Sequence, residues 1–141
     1  MGALKTALLA GFLLAQLVAA VGIGCAQASR SLQDRIPKSD PKKYHSVRDA
    51  TGWKNPYLIV RRNGIEISGI TPVGRAIAVE SVRGVLERLP DSAWPYGLVV
   101  AVQEVGVLSG KTDLSRIEAN RTKLLKLLKE LGIAVDRWPS A

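Results

Sequence analysis

The carboxylates best placed to meet for acid–base chemistry are Glu66, Glu80 and Glu104. Glu104 matters most, because it interrupts an apolar run beside Gln103, and a carboxylate held among apolar side chains keeps its proton to higher pH. The same position also reads as a strand end emerging into solvent. Unpaired charges are rarely buried, so solvent is the expected environment, and no second group at a fixed spacing completes a general acid–base pair. Gly106, Gly110, Lys111 and Thr112 supply some ingredients of a phosphate-binding loop opening onto a helix. The nucleotide-binding pattern needs its glycines five positions apart before Lys-Ser/Thr, and here the spacing from Gly106 to Gly110 is four. Only weak anion binding by helix-start N–H groups is left.

The remaining reactive side chains exclude more than they offer. One Cys cannot form an intrachain disulfide, and one His with one Cys cannot build the common His/Cys zinc sites. A Ser-His-Asp triad would have to use His45, which lies in a polar stretch ahead of the segment expected to fold. The sequence therefore assigns no catalytic residue, metal or cofactor, and a non-enzyme is expected. The rival expectation is a small exported enzyme using Glu104 with a group from the loop at 108–112. Asn120-Arg121-Thr122 matches a glycosylation acceptor but falls inside an expected helix.

The chain has 141 residues, 20 Lys+Arg against 12 Asp+Glu, and a formal charge of +8. That length suits one domain, and 47% hydrophobic residues exclude a disordered polybasic tail. The cations are scattered, aromatics are few, and no DNA- or RNA-binding motif is present, so nucleic acid is not an expected partner.

Residues 1–28 read as a secretory signal or a membrane anchor. Lys5 precedes residues 6–24, an uncharged and strongly apolar run, and Ala26-Gln27-Ala28 is an A-x-A cleavage site. Cleavage after Ala28 releases a chain beginning at Ser29. Gly22-Ile23-Gly24-Cys25 resembles a bacterial lipobox, which would make Cys25 a lipidated N-terminus. Left uncut, residues 6–24 are long enough to span a bilayer, with the cations that follow favouring a cytoplasmic C-terminal side. The expected location is exported, periplasmic or secreted, with membrane anchoring through residues 6–24 or Cys25 as the alternative.

Residues 29–56, rich in Lys, Arg, Asp, Ser and Pro, read as a basic polar linker. The single domain is expected at 57–141, where five elements must position any site. Tyr57-Leu58-Ile59-Val60 and Ile65-Glu66-Ile67 flank Asn63-Gly64, predicting a hairpin with that pair as its turn and Arg61 and Arg62 exposed at its tip. Residues 68–77 are ambiguous, with a short strand at Ala76-Ile77 one option. Val79, Val82, Val85, Leu86 and Leu89 fall on one helix face, ended by Pro90. Residues 98–107 form a near-continuous apolar strand of the kind covered on both faces. Thr112 or Asp113 caps a second helix with the apolar face Leu114, Ile117, Leu124, Leu127, Leu128 and Leu131, stopped at Gly132. Residues 133–138 close as a strand parallel to 98–107. The expected fold is a small α+β protein, a two-layer α/β sandwich with both helices on one face of the sheet.

The Asn63-Gly64 hairpin, Leu86-Glu87-Arg88-Leu89, Val99-Val100-Ala101-Val102 and Leu131-Gly132-Ile133 together resemble the periplasmic domain of the ExbD/TolR biopolymer-transport family. The resemblance covers residues 57–138 and implies a non-catalytic envelope domain, or an accessory membrane protein, that dimerises or holds a partner peptide. The family's membrane helix carries an Asp used in proton movement, whereas residues 6–24 contain no ionisable group, so a motor role is not implied. Trp94, Tyr96 and Trp138 are the candidate partner surface for a protein, a peptide or an anionic envelope polymer, or else they close the core. A domain without Phe or Met favours the core.

Overall fold

The computed structural model describes residues 30–104 and 111–138. Strand formers and a tight turn give β1 (Tyr57–Arg61) and β2 (Gly64–Ile67), paired antiparallel with Arg61 opposite Gly64. The two loop residues are thus Arg62 and Asn63, one position earlier than the expected Asn63-Gly64. Gly64 instead enters the strand at φ 140°, and a Cβ there would lie 2.1 Å from the Ile77 carbonyl oxygen. That close approach allows Ile65 and Ile77 to exchange two backbone hydrogen bonds of 2.8 Å, as an isolated bridge on the outer side of β2. Tertiary pairing, not turn chemistry, is what Gly64 serves. Arg61 also departs from expectation, since its side chain pairs with buried Glu66 and is only partly exposed.

A short helical turn, α1 (Leu32–Arg35), precedes the hairpin; α2 (Val79–Arg88), β3 (Val99–Glu104), α3 (Lys111–Glu130) and β4 (Ala134–Trp138) follow it. The sheet order is β2-β1-β3-β4, with β1/β3 and β3/β4 parallel. The protein is a small mixed α/β sandwich with the expected order of hairpin, helix, strand, helix, strand. Period-two alternation sends Leu58, Val60, Val100 and Val102 to one face, where they pack with Val82, Leu86, Ile117, Leu124 and Leu128 of the two long helices. Tyr57, Ile59, Val99 and Ala101 point to the other face. Leu114, expected in the α3 apolar stripe, is 39% exposed. α3 is already helical at Lys111, so Thr112 and Asp113 lie inside its first turn rather than capping it. Its other end closes as expected, with Ile133 N–H donating to Leu128 O at 2.9 Å.

The second face is covered by residues expected to be a solvated linker. From Leu32 onward the lead-in is part of the folded body. Leu32 and Ile36 are buried against the helix-side core, and Arg35 ties α1 to Asp91 and to Glu87 O. The chain then passes the start of β3, where Leu98 N–H donates to Pro37 O at 2.9 Å and Asp40 N–H to Tyr96 O at 3.0 Å. Gly97 makes that crossing feasible, because at φ 81° a Cβ would sit 2.4 Å from Lys38 O. Residues 44–56 then lie over Tyr57, Val99 and Ala101, with Trp53 only 7% exposed. The reason is burial: leaving this apolar sheet face wet would forfeit the largest favourable term in folding.

Asn55 fastens the cover. It is 6% exposed, donates from Nδ2 to Gly97 O and Val99 O at 2.8 Å each, and accepts from Tyr96 N–H at 2.9 Å. Asn55→Ala removes these three buried hydrogen bonds. At about 1 kcal/mol for each hydrogen bond lost, the variant should be destabilised by about 3 kcal/mol. Denaturant midpoints would show it, while exposed Lys54→Ala should stay within about 0.5 kcal/mol of the parent.

Candidate functional site

Beside the aromatic cover lies an open hollow of about 770 Å³, floored by β1, β3 and β4 and walled by residues 44–50. Register explains its floor. Ala101 stands opposite both Tyr57 and Asp136, and Gln103 opposite Trp138, so Tyr57, Gln103, Asp136 and Trp138 share one face. Arg137 also borders the hollow but belongs to the opposite phase, across from Val102.

All three tyrosines and two of the three tryptophans of the chain gather here. Trp53 meets Tyr44, Tyr96 and Trp138 with centroids 5.5, 5.1 and 5.7 Å apart, and Tyr57 meets Trp138 at 5.5 Å. These pairs are edge-on, the arrangement that aligns ring quadrupoles favourably. The polar groups are oriented by local bonds. Tyr57 Oη donates to Gln103 Oε1, Trp138 Nε1 to Asp136 Oδ2 at 3.0 Å, and Gly52 N–H to Asp49 Oδ1 at 2.8 Å. His45, expected ahead of the folded part, is within it at the rim of the hollow. Its Nδ1 lies 3.1 Å from Lys42 O and 3.2 Å from Pro41 O, the position of a donor to backbone carbonyls. No ion pair among the described residues engages Arg48 or Arg137.

Of the three rings weighed as a partner surface or as core, Trp94 and Tyr96 lie in the core. Trp94 is 3% exposed in the helix-side core, with its Nε1 lacking an acceptor among the described residues. Tyr96 is 7% exposed and packs on the opposite face of the sheet. Only Trp138, half-buried, reaches the hollow. Only Pro95 separates them, and the chain turns there, with Gly97 N–H donating to Trp94 O at 3.0 Å before β3 begins at Val99, so the two rings go to opposite faces. What sequence reasoning missed were Tyr44, Tyr57, Gln103 and Asp136, and the available signal was the presence of Tyr44 and Trp53 inside an otherwise polar lead-in.

Of the three carboxylates considered for acid–base work, Glu66 and Glu80 do not border this hollow. Glu66, 5% exposed, is held by Arg61 and by Gly74 N–H at 3.0 Å. Glu80 is exposed on α2 and borders a smaller hollow with Lys123, Lys126 and Glu130. Glu104 ends β3 opposite Val60. Residues 105–110, with the glycine loop and most of the rival enzyme's contributing loop, lie outside the described residues, as do Ala28, Cys25 and residues 6–24. Asn120 sits within α3, where Nδ2 donates to Arg61 O at 2.8 Å and braces the hairpin. Among the described residues no three His, Cys, Asp or Glu side chains gather to hold a metal, and no helix is long and apolar enough to cross a membrane.

No family model, curated protein or solved structure matches the chain. The likeness to the ExbD/TolR domain therefore rests on the residues that carry it. What the fold and the hollow define together is a class: a small α/β domain with an aromatic-floored groove running along its outermost strand.

Burial raises the Tyr57 phenol above its ordinary value of 10.0. The folded state thus holds this proton more tightly than the unfolded chain does. Its stabilising contribution is complete below pH 10.0 and is lost as the pH rises through the folded value. Thermal midpoints followed upward from neutral pH should fall more steeply past that point for the parent than for Tyr57→Phe. Parallel curves would show that the phenol is as well solvated as in the unfolded chain.

Proposed function

We propose that this protein is an exported, non-catalytic interaction module of the bacterial cell envelope, and that it holds an extended peptide segment along β4. One observation carries the reading: β4 is the outermost strand, and its outer edge has no backbone partner among the described residues. In a parallel ladder alternate residues turn their backbone groups toward the neighbour. Ala134 N–H donates to Leu98 O at 2.9 Å, so Ala134, Asp136 and Trp138 face β3 while Val135 and Arg137 face outward. Such an edge accepts a strand through main-chain bonds, with side-chain pockets supplying selectivity. A peptide lying there would set alternate side chains over the groove beside Trp138, Asp136 and Arg48. A polymer without amide groups cannot complete these bonds, which is why a peptide is favoured over an anionic envelope polymer.

The groove chemistry supports a binding role. His45, Asp49 and Asp136 are engaged in orienting bonds to backbone or to a neighbouring ring, not aligned as nucleophile, base and orienter. Export is supported by the leader composition and the A-x-A site.

Proline scanning separates the two edges of β4. Arg137→Pro deletes an outward N–H and leaves the β3 ladder intact, a placement that edge strands tolerate. Peptides selected from a displayed random library on the parent protein should lose binding to this variant at least tenfold, with the fold retained by circular dichroism. Equal binding to Arg137→Pro, or selection of anionic polysaccharide and no peptide, would sink the strand-addition reading. For export, the intact mass of protein from the envelope fraction of its host should correspond to a chain starting at Ser29. A lipidated Cys25 start would keep it in the envelope but at a membrane, and an uncut chain confined to the cytoplasm would overturn export.

A further inference from the structure

At the far edge of the sheet from β4, residues 68–76 leave β2 and return to it at Ile77. Their tip exposes apolar side chains. Val73 is 97% exposed and Ile70 45%, so two of the three exposed large hydrophobic residues among those described lie within four positions of each other. Single exposed apolar side chains are common on protein surfaces; a pair presented by a fastened loop is less easily dismissed.

The fastening is extensive. Thr71 Oγ1 accepts from Ile67 N–H at 3.0 Å and donates back to Ile67 O at 3.2 Å, while Thr71 N–H donates to the same carbonyl at 2.9 Å. Arg75 N–H closes on Pro72 O at 2.9 Å. The buried Glu66 carboxylate takes Gly74 N–H, and Arg61 neutralises that carboxylate. A loose loop would fold Val73 back onto the apolar surface, but these bonds on both sides of Pro72 and Val73 hold the side chain outward. The tip's own side chains carry a single charge, that of Arg75, and the Glu66 carboxylate behind them is paired with Arg61. Residues 67–79 contain no carboxylate, and Arg75 is exposed with no ion pair among the described residues.

We propose that residues 70–75 form a docking tip for an anionic lipid bilayer, with Ile70 and Val73 entering the interface and Arg75 meeting the headgroups. Size decides the occupant. A stable protein interface buries about 800 Å² on each side around a central cluster of anchors, which two aliphatic side chains cannot supply. A bilayer interface accepts apolar side chains one by one, and each nearby cation adds attraction to acidic lipid. The tip lies on the β2 side, so this inference does not rest on peptide binding at β4.

The test uses the full chain with Cys25→Ser and Val73→Cys carrying an environment-sensitive fluorophore, compared with the same label at Glu118→Cys on exposed α3. Vesicles of phosphatidylcholine with phosphatidylglycerol should shift emission to the blue at position 73 and not at 118. Adding Arg75→Gln should weaken the vesicle concentration dependence about fivefold, the effect of one cation at an acidic surface, and high salt should do the same. The proposal falls if position 73 shows no shift, or if positions 73 and 118 shift alike through the apolar segment at 6–24. It also falls if pure phosphatidylcholine works as well, or if the shift appears without vesicles and grows with protein concentration, the mark of a second copy.

Discussion

The central strand β3 is apolar on both of its sides, and only two long helices lie among the described residues. Both pack on the side of Val100 and Val102, so Val99 and Ala101 must be covered by something else. The nearest spare polypeptide is the stretch before the hairpin. Its recruitment fixes much of the molecule: the crossing at Gly97, the short parallel bridge of Lys38 with Leu98, and the three bonds of Asn55. Burying a sheet face with irregular chain leaves backbone groups that a helix would satisfy internally. A single buried amide answers that problem here by serving one donor and two acceptors of the segment it lies on.

The groove follows from the same constraint. A helix lays a continuous ridge across a sheet, whereas residues 44–56 cover theirs with spaced rings. Trp53 and Tyr96 close the centre, and the cover thins toward Gln103 and Trp138. Ring contacts make the floor stiff, because Tyr44, Trp53, Tyr96 and Trp138 are each held by two or three other rings and Tyr57 by Trp138. A stiff floor suits recognition, since little side-chain freedom remains to be lost when a ligand arrives. Tyr57 and Trp138 also present polar atoms that are already engaged with Gln103 and Asp136. A ligand would compete for groups with defined positions.

How far the sequence announced this depends on which signal each part uses. The helices and strands of residues 57–138 rest on local periodicity and were legible, including the parallel closing strand. The turn was misplaced by one residue because Asn-Gly chemistry is local, whereas Gly64 answers to Ile77, thirteen positions away. The lead-in was misread for a related reason. Lys, Asp and Pro dominate its composition; Leu32 and Ile36 share one helical spacing too short to register, Tyr44 and Trp53 follow at no helix or strand period, and irregular cover has no period to detect. The strand at 98–107 carried the missing clue: apolar residues on both faces demand two covers, and two helices on one side provide one. Trp94 and Tyr96 are core residues on opposite faces of the sheet, a split that the two-residue spacing does not announce.

The two edges of the sheet are treated differently, and that asymmetry is the strongest argument about use. A bare edge invites pairing with other chains, so proteins usually shield it. The β2 edge is shielded: Ile77 bridges Ile65, Glu66 and Thr71 pin the returning loop, and Gly64 is kept free of a side chain so that the approach can occur. Those are several independent features devoted to one short strand. The β4 edge has no equivalent among the described residues, although it is longer and lies beside the aromatic groove. Its own protection is modest, consisting of the charges at Asp136 and Arg137 within the five-residue strand. Charges on an edge discourage indiscriminate pairing while leaving main-chain bonds available to a segment whose side chains match. A sheet that closes one edge so thoroughly and, among the described residues, guards the other by charge has the asymmetry that the proposed strand addition requires.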